Sequence, residues 1–226
     1  MAEELFGNAS DQIDNVGIYA SATDPDEILS DILRMMQDIR SGTFSRSTPV
    51  VAPDDVKGLK IRGGSREMDL MLKAAGGIIS SVPSNEIYPA MQTGSLDAAV
   101  TSSTSLISFR LEEISKALTT GRGKSFWYML EPLIMSKSIF DALPKKQQDL
   151  IMEIGEGLEA YGRDAAMADD EAVAKIYEKA GAKIHDLDET IVEKWRKIAR
   201  ETAWKDYAAK NAGSAKLLQL AEAVPA

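Results

Sequence analysis

The residues best suited to holding a ligand stand at the ends of three short runs that read as strands. Arg62, Gly63 and Gly64 follow the run that begins at Leu59; Pro83, Ser84 and Asn85 follow the run 78–82; Thr101, Ser102 and Ser103 follow the run that begins at Leu96. A guanidinium is planar, always charged and carries paired donors that match a carboxylate bidentately. Hydroxyls and amides can each add a hydrogen bond that fixes orientation. Ordinary structural roles compete with this reading. An arginine is often one half of a surface ion pair, and Ser103 or Thr104 would suit the N-cap of a following helix.

Covalent and metal chemistry find little support. The chain has no cysteine and a single histidine, His185, which argues against thiol catalysis, thiolate metal sites and a Ser-His-Asp triad. No nucleophile elbow, P-loop or dinucleotide glycine fingerprint is present, so neither an enzyme nor a cofactor is expected. The adjacent acids Glu112-Glu113 and Asp169-Asp170 fall in expected helices, where neighbours in sequence face different ways, and they read as solvated faces. His185 reads as structural.

The balance of 26 Lys plus Arg against 35 Asp plus Glu gives a net charge of −9 with no basic run, so nucleic acid is not an expected partner. No stretch approaches the roughly 18 apolar residues of a membrane span. Met1 leads into Ala2-Glu3-Glu4-Leu5-Phe6 without the basic and apolar regions of an export signal.

These side chains need elements to position them, and the pattern supplies an alternation. Residues 1–50 read as helix-rich, with one amphipathic helix over about 25–40 stopped by Ser41-Gly42, then an extended connector over 45–55. Strands are predicted at 59–63, 78–82 and 96–101, with helices at 65–75, 84–92 and 104–114. Such β-α-β-α-β order implies parallel strands covered by helices, and ligands in such sheets collect at the carboxyl ends of the strands. The region 124–135 reads as one or two strands. A helix far longer than usual runs from Leu143-Pro144 to about Lys179. A short strand at 182–185 and a helical region from Asp188 complete the chain.

Several motifs now align in order: Lys57-Gly58-Leu59-Lys60-Ile61-Arg62-Gly63-Gly64, Ala74-Ala75-Gly76-Gly77, Val82-Pro83-Ser84-Asn85-Glu86-Ile87-Tyr88-Pro89-Ala90-Met91-Gln92-Thr93-Gly94-Ser95-Leu96-Asp97, and Asp141-Ala142-Leu143-Pro144. Over about 44–210 the chain resembles the solute-binding proteins of tripartite ATP-independent periplasmic (TRAP) transporters. The resemblance implies a type II periplasmic binding protein-like α/β fold of two lobes with a long helix spanning them. It implies capture of a small organic acid anion by lobe closure, delivery to TRAP membrane permease subunits, and a periplasmic location. It also gives Arg62 the role of holding the ligand carboxylate.

Other site residues follow from the same resemblance. Thr101 falls where many relatives carry Asn or an aromatic residue, and Ser102 lies beside it. Asn85 lies at the mouth of the second strand, and Trp127 falls where relatives place an aromatic wall. With Arg62 and Gly63 these are the expected ligand-binding residues. Asp97 is followed by Ala98 where the family has Gly, which departs from the pattern; Asp97 itself reads as structural.

The organisation expected is a divergent helical segment over 1–42, a ligand-binding α/β lobe over 43–122, and return strands, spanning helix and C-terminal helices over 123–226. Members of the family have a longer first lobe before the Arg62 motif, so the N-terminal lobe is expected to be incomplete here. An uncovered sheet would favour a homodimer. The alternative to a carrier is a structural or interaction protein whose ligand cleft is incomplete.

Overall fold

The structure, a computed structural model, describes residues 15–17, 41–120, 122 and 134–223. The expected helix over 25–40 and most of the expected strand region 124–135, with Trp127, lie outside the described residues. The chain divides into two compact units. One contains 1–37, 130–165 and 207–226; the other contains 38–129 and 166–206.

The second unit is built on a six-stranded mixed sheet. Its strands are β2 (Ser41–Ser45), β3 (Lys60–Arg62), β4 (Ile78–Ile79), β5 (Ala98–Ser102), β6 (Ala117–Thr120) and β8 (Lys183–Asp186), in the order β4-β3-β5-β2-β6-β8. β3 runs parallel to β4 and β5, and β6 parallel to β8, whereas β2 is antiparallel to both of its neighbours. The three strands expected from the alternation, β3, β4 and β5, are parallel as read, and the antiparallel β2 is an addition to them. Ser41-Gly42, expected as a helix stop, begins a central strand, and β6 was not expected at all.

Both faces of this sheet are covered, which explains the run of buried residues along β5. Ala98 and Val100 join Ile61, Val50 and Val56 on one side, packed with Met68, Met71 and Leu72 of α1 (Arg66–Ala74) and with Trp195 and Ala199 of α6 (Glu189–Glu201). Ala99 joins Phe44 and Leu118 on the other, packed with Ile87 and Met91 of α2 (Ile87–Thr93) and Leu106 of α3 (Ser103–Ser108). Val173 and Tyr177 close that side; they come from α5, which runs unbroken over Lys145–Lys179.

Local chemistry sets the helix ends. Ser65 accepts a hydrogen bond from the Met68 amide and starts α1, and Asp188 accepts from the Ile191 amide and starts α6. Gly94 ends α2 at φ 79°, a left-handed turn that glycine adopts without a Cβ penalty. Gly77 admits β4 against the core, because a Cβ there would meet Val56 Cγ1 at 2.8 Å and Ile61 Cγ2 at 2.9 Å.

In the first unit, β1 (Asn15–Gly17) pairs antiparallel with β7 (Ile134–Ser136), followed by α4 (Lys137–Ala142) and the first part of α5. Leu150, Ile154, Leu158 and Tyr161 of α5 are exposed. After α7 (Ala203–Ala208), α8 (Ala212–Ala223) also belongs to this unit. No helix among the described residues is long and apolar enough to cross a membrane.

Candidate functional site

β3 is short because its work is done in three residues. Ile61 faces the core, and Arg62 ends the strand beside the crossover turn that leads into α1. The Arg62 side chain reaches across the carboxyl ends of its neighbours. Nε donates to the Val82 carbonyl at 3.1 Å, Nη1 to the Val100 carbonyl at 3.0 Å, and Nη2 to Ser84 Oγ at 3.2 Å. Three of the five guanidinium N–H groups are thus engaged by the described residues, leaving one on each terminal nitrogen. The residue is 8% exposed.

Burial lowers the Arg62 pKa from its ordinary value, and the nearby Asp69 opposes the shift. The guanidinium remains a cation in any case. Asp69 sits in α1, where burial raises its pKa against the lowering influence of the Gly63 amide and Arg62. Gly63 is the reason the carboxylate can come so close: a Cβ on Gly63 would lie 2.2 Å from Asp69 Oδ1. The Gly64 amide donates to Met68 Sδ at 3.3 Å, which ties the turn to the helix.

The structure brings some of the expected residues to this arginine. Thr101 is buried in β5, paired opposite Gly42 and next to the Val100 carbonyl that Arg62 engages. Ser102 is buried too, but its hydroxyl is committed: it accepts from the Ser105 amide at 3.2 Å and donates to Ser105 Oγ at 3.0 Å, capping α3. The cap thus falls one residue before Ser103, the earliest position expected. Asn85 is exposed in the 3₁₀ turn Ser84–Glu86. Its neighbour Ser84 makes the contact with Arg62. Sequence reasoning placed Ser84 in the right loop without singling it out, because a turn has no periodicity that tells which side chain turns inward. Trp127 lies outside the described residues.

Residues read as structural occupy structural places. Tyr88 packs against the core and donates from its hydroxyl to Glu113 at 2.9 Å. Asp97 accepts from the Lys60 amide at 2.9 Å and so holds β3 to the start of β5. Asp170 corrects the reading of Asp169-Asp170 as a solvated face, since it is buried where α5 meets the core. Among the described residues no group of three or more His, Asp and Glu side chains could hold a metal ion.

A strand-end arginine anchored by two carbonyls and a hydroxyl, with N–H groups to spare, is an anion receptor in form. Residues 33–211 match the family model described as bacterial extracellular solute-binding protein, family 7. The chain belongs to this family. Among family 7 relatives, a solute-binding protein of Albidiferax ferrireducens is 62% identical over 181 residues, covering 80% of this chain and 54% of that protein. A solved TRAP periplasmic solute binding protein from Rhodoferax ferrireducens, with bound malonate, superposes with a TM-score of 0.79 at 55% identity, covering 90% of this chain and 67% of that one. Another from Bordetella bronchiseptica, with bound (R)- and (S)-mandelate, has a TM-score of 0.66 at 25% identity, covering 81% and 60%. The mixed α/β fold is that of the TRAP binding proteins. The chain spans about half the length of the curated relatives it matches.

Proposed function

We propose that this family 7 protein is an extracytoplasmic carrier of a TRAP transporter, working in the periplasm. It captures a small carboxylate-containing solute at Arg62 by lobe closure and delivers it to the membrane permease subunits. The observation that supports this most is the held guanidinium of Arg62, oriented by Val82, Val100 and Ser84 and retaining an N–H on each terminal nitrogen. Charge-assisted hydrogen bonds of that kind contribute about 1.5–3 kcal/mol each. The malonate and mandelate bound to the two solved relatives are carboxylates, in keeping with the same chemistry. Gly63, Asn85, Thr101 and Trp127 complete the proposed lining, while Ser102 contributes by fixing the start of α3.

Calorimetric titration with a panel of mono- and dicarboxylates, each beside its neutral amide, tests this reading. Saturable binding confined to the acids is expected. Equal binding of acid and amide would remove the carboxylate from the account. The alternative reading is a structural or interaction protein whose cleft binds nothing tightly. A cooperative melt with no response to any acid supports that reading instead. The described sheet is covered on both faces, which corrects the expectation of an uncovered one; self-association is proposed instead through Leu150, Ile154, Leu158 and Tyr161 exposed along α5, and sedimentation that shows only a 24.5 kDa species contradicts it.

A further inference from the structure

We propose that Asp69 is a built-in counter-charge to Arg62 that sets how strongly the site takes an anion. The inference rests on the reading of Arg62 as the carboxylate anchor. A buried guanidinium held by two neutral carbonyls and a hydroxyl has no full counter-charge among those three partners. Asp69 supplies one from the adjacent element. Its Oδ1 is buried against the Gly63 backbone, whose amide also favours the ionised carboxyl, and fills the place where a side chain on Gly63 would begin. Gly64, the next residue, brings its own Cβ position within 3.9 Å of Arg62 Nη1. The Gly63-Gly64 turn therefore has the carboxylate against its first residue and the guanidinium against its second.

Of the other charges around Asp69, Arg66 and those on α6 are already engaged elsewhere. On its own helix Arg66 is drawn to Asp206, with Nη2 donating to Oδ1 at 2.9 Å, and also lies near Glu67. Lys73 stands in the last turn of α1. On α6, which packs on α1 through Trp195 and Ala199, Glu189 and Glu193 pair with Arg196, and Glu193 also with Arg200. From β3 comes Arg62, whose charge acts to lower the Asp69 pKa while Asp69 acts to raise that of Arg62, although burial outweighs both influences.

A fixed carboxylate beside the receptor lowers the positive potential an incoming anion meets. It also keeps the ligand-free arginine from standing as an isolated buried cation. Capture becomes an exchange, in which the solute carboxylate takes over part of the stabilisation that Asp69 supplies alone in the empty site. The residue acts through Arg62 and is a positioning and affinity-setting group.

Two measurements test this. The first needs no ligand: the Asp69 carboxyl is followed by carbon-13 NMR in the wild type and in Arg62→Gln, with Asp69→Asn identifying its signal. The Asp69 titration midpoint is expected to rise in Arg62→Gln, and an unmoved midpoint overturns the proposal. The second is malonate binding by calorimetry. Asp69→Asn keeps the shape and removes the charge, so tighter binding by roughly three- to ten-fold is expected, an outcome that mere structural damage does not produce. Unchanged or weaker malonate binding in an Asp69→Asn protein with wild-type melting overturns the proposal. Loss of the carboxylate reading shows differently, as malonate binding that ignores Arg62→Gln while the ligand-free coupling persists.

Discussion

Arg62 Nη1 donates to the Val100 carbonyl at 3.0 Å, although the strand register sets Arg62 beside Ala99. The side chain leans past its own register partner to the next peptide of β5, and its other nitrogens reach Val82 and Ser84 in the loop after β4. One guanidinium thereby ties together the carboxyl ends of the three parallel strands. The orientation of the proposed anion receptor follows from sheet order, not from a flexible surface arm.

Ser102 separates a structural role from a ligand role. Ser102→Ala removes the cap of α3 and is expected to cost about 0.5–2 kcal/mol of stability. Because the hydroxyl is already engaged by Ser105, the variant should keep its response to carboxylates. Urea unfolding together with ligand titration checks both. Unaltered stability with lost binding would show the assignment to be wrong.

Trp195 joins α6 to the chain before β3. Its ring is buried and Nε1 donates to the Val51 carbonyl at 2.8 Å. Trp195→Phe keeps most of the packing but orphans that carbonyl, for an expected loss of about 1–3 kcal/mol in urea unfolding. A loss within measurement error would mean that water replaces the indole.

The legibility of these elements in the sequence was uneven, for physical reasons. Ser65, Asp188 and Gly94 announced helix ends because capping is local chemistry. The strands around Ile61 and Val100 were readable between their turn residues, and the resemblance pointed to Arg62. β2 and β6 escaped notice because a strand buried on both faces shows no alternation of polar and apolar residues. In β2 the Ser41-Gly42 pair also imitates a helix stop. The antiparallel insertion of β2 depends on pairing with residues more than fifty positions away, which no local pattern carries. Ser84 was placed in the right loop but not distinguished from Asn85 for a related reason, since its role is set by where the Arg62 side chain reaches.

Tyr177 gives the protein a component of alkaline sensitivity. Burial pushes its phenol well above the ordinary value of 10.0, with the Ser115 hydroxyl opposing and Glu112 adding to the rise. The folded state then holds the proton more tightly than the unfolded chain. The contribution is fully present below the unfolded pKa and is lost as pH rises above it toward the folded value. Tyr177→Phe gives up a long hydrogen bond to the Leu106 carbonyl at 3.4 Å, so it should be less stable than wild type by under about 1 kcal/mol near neutrality. That gap should close or reverse between pH 9 and 11 in urea unfolding. A constant gap across that range would contradict the assignment.

Gly77 tests the packing of β4 on the core. Gly77→Ala would place a methyl 2.8 Å from Val56, 2.9 Å from Ile61 and 3.1 Å from the Leu72 carbonyl. An overpacking cost of about 1–3 kcal/mol is expected, seen as a lower urea midpoint with an unchanged slope. A wild-type midpoint would mean that the backbone at this turn yields without cost.

The central claim is that Arg62 anchors the carboxylate, and thermal melting of wild type and Arg62→Ala with and without a saturating carboxylate tests it most directly. Malonate, the acid bound to the Rhodoferax ferrireducens protein, is a suitable first probe, followed by a wider acid panel. The account predicts that an acid raises the wild-type melting temperature and leaves that of Arg62→Ala unmoved. An equal rise in both proteins would contradict it.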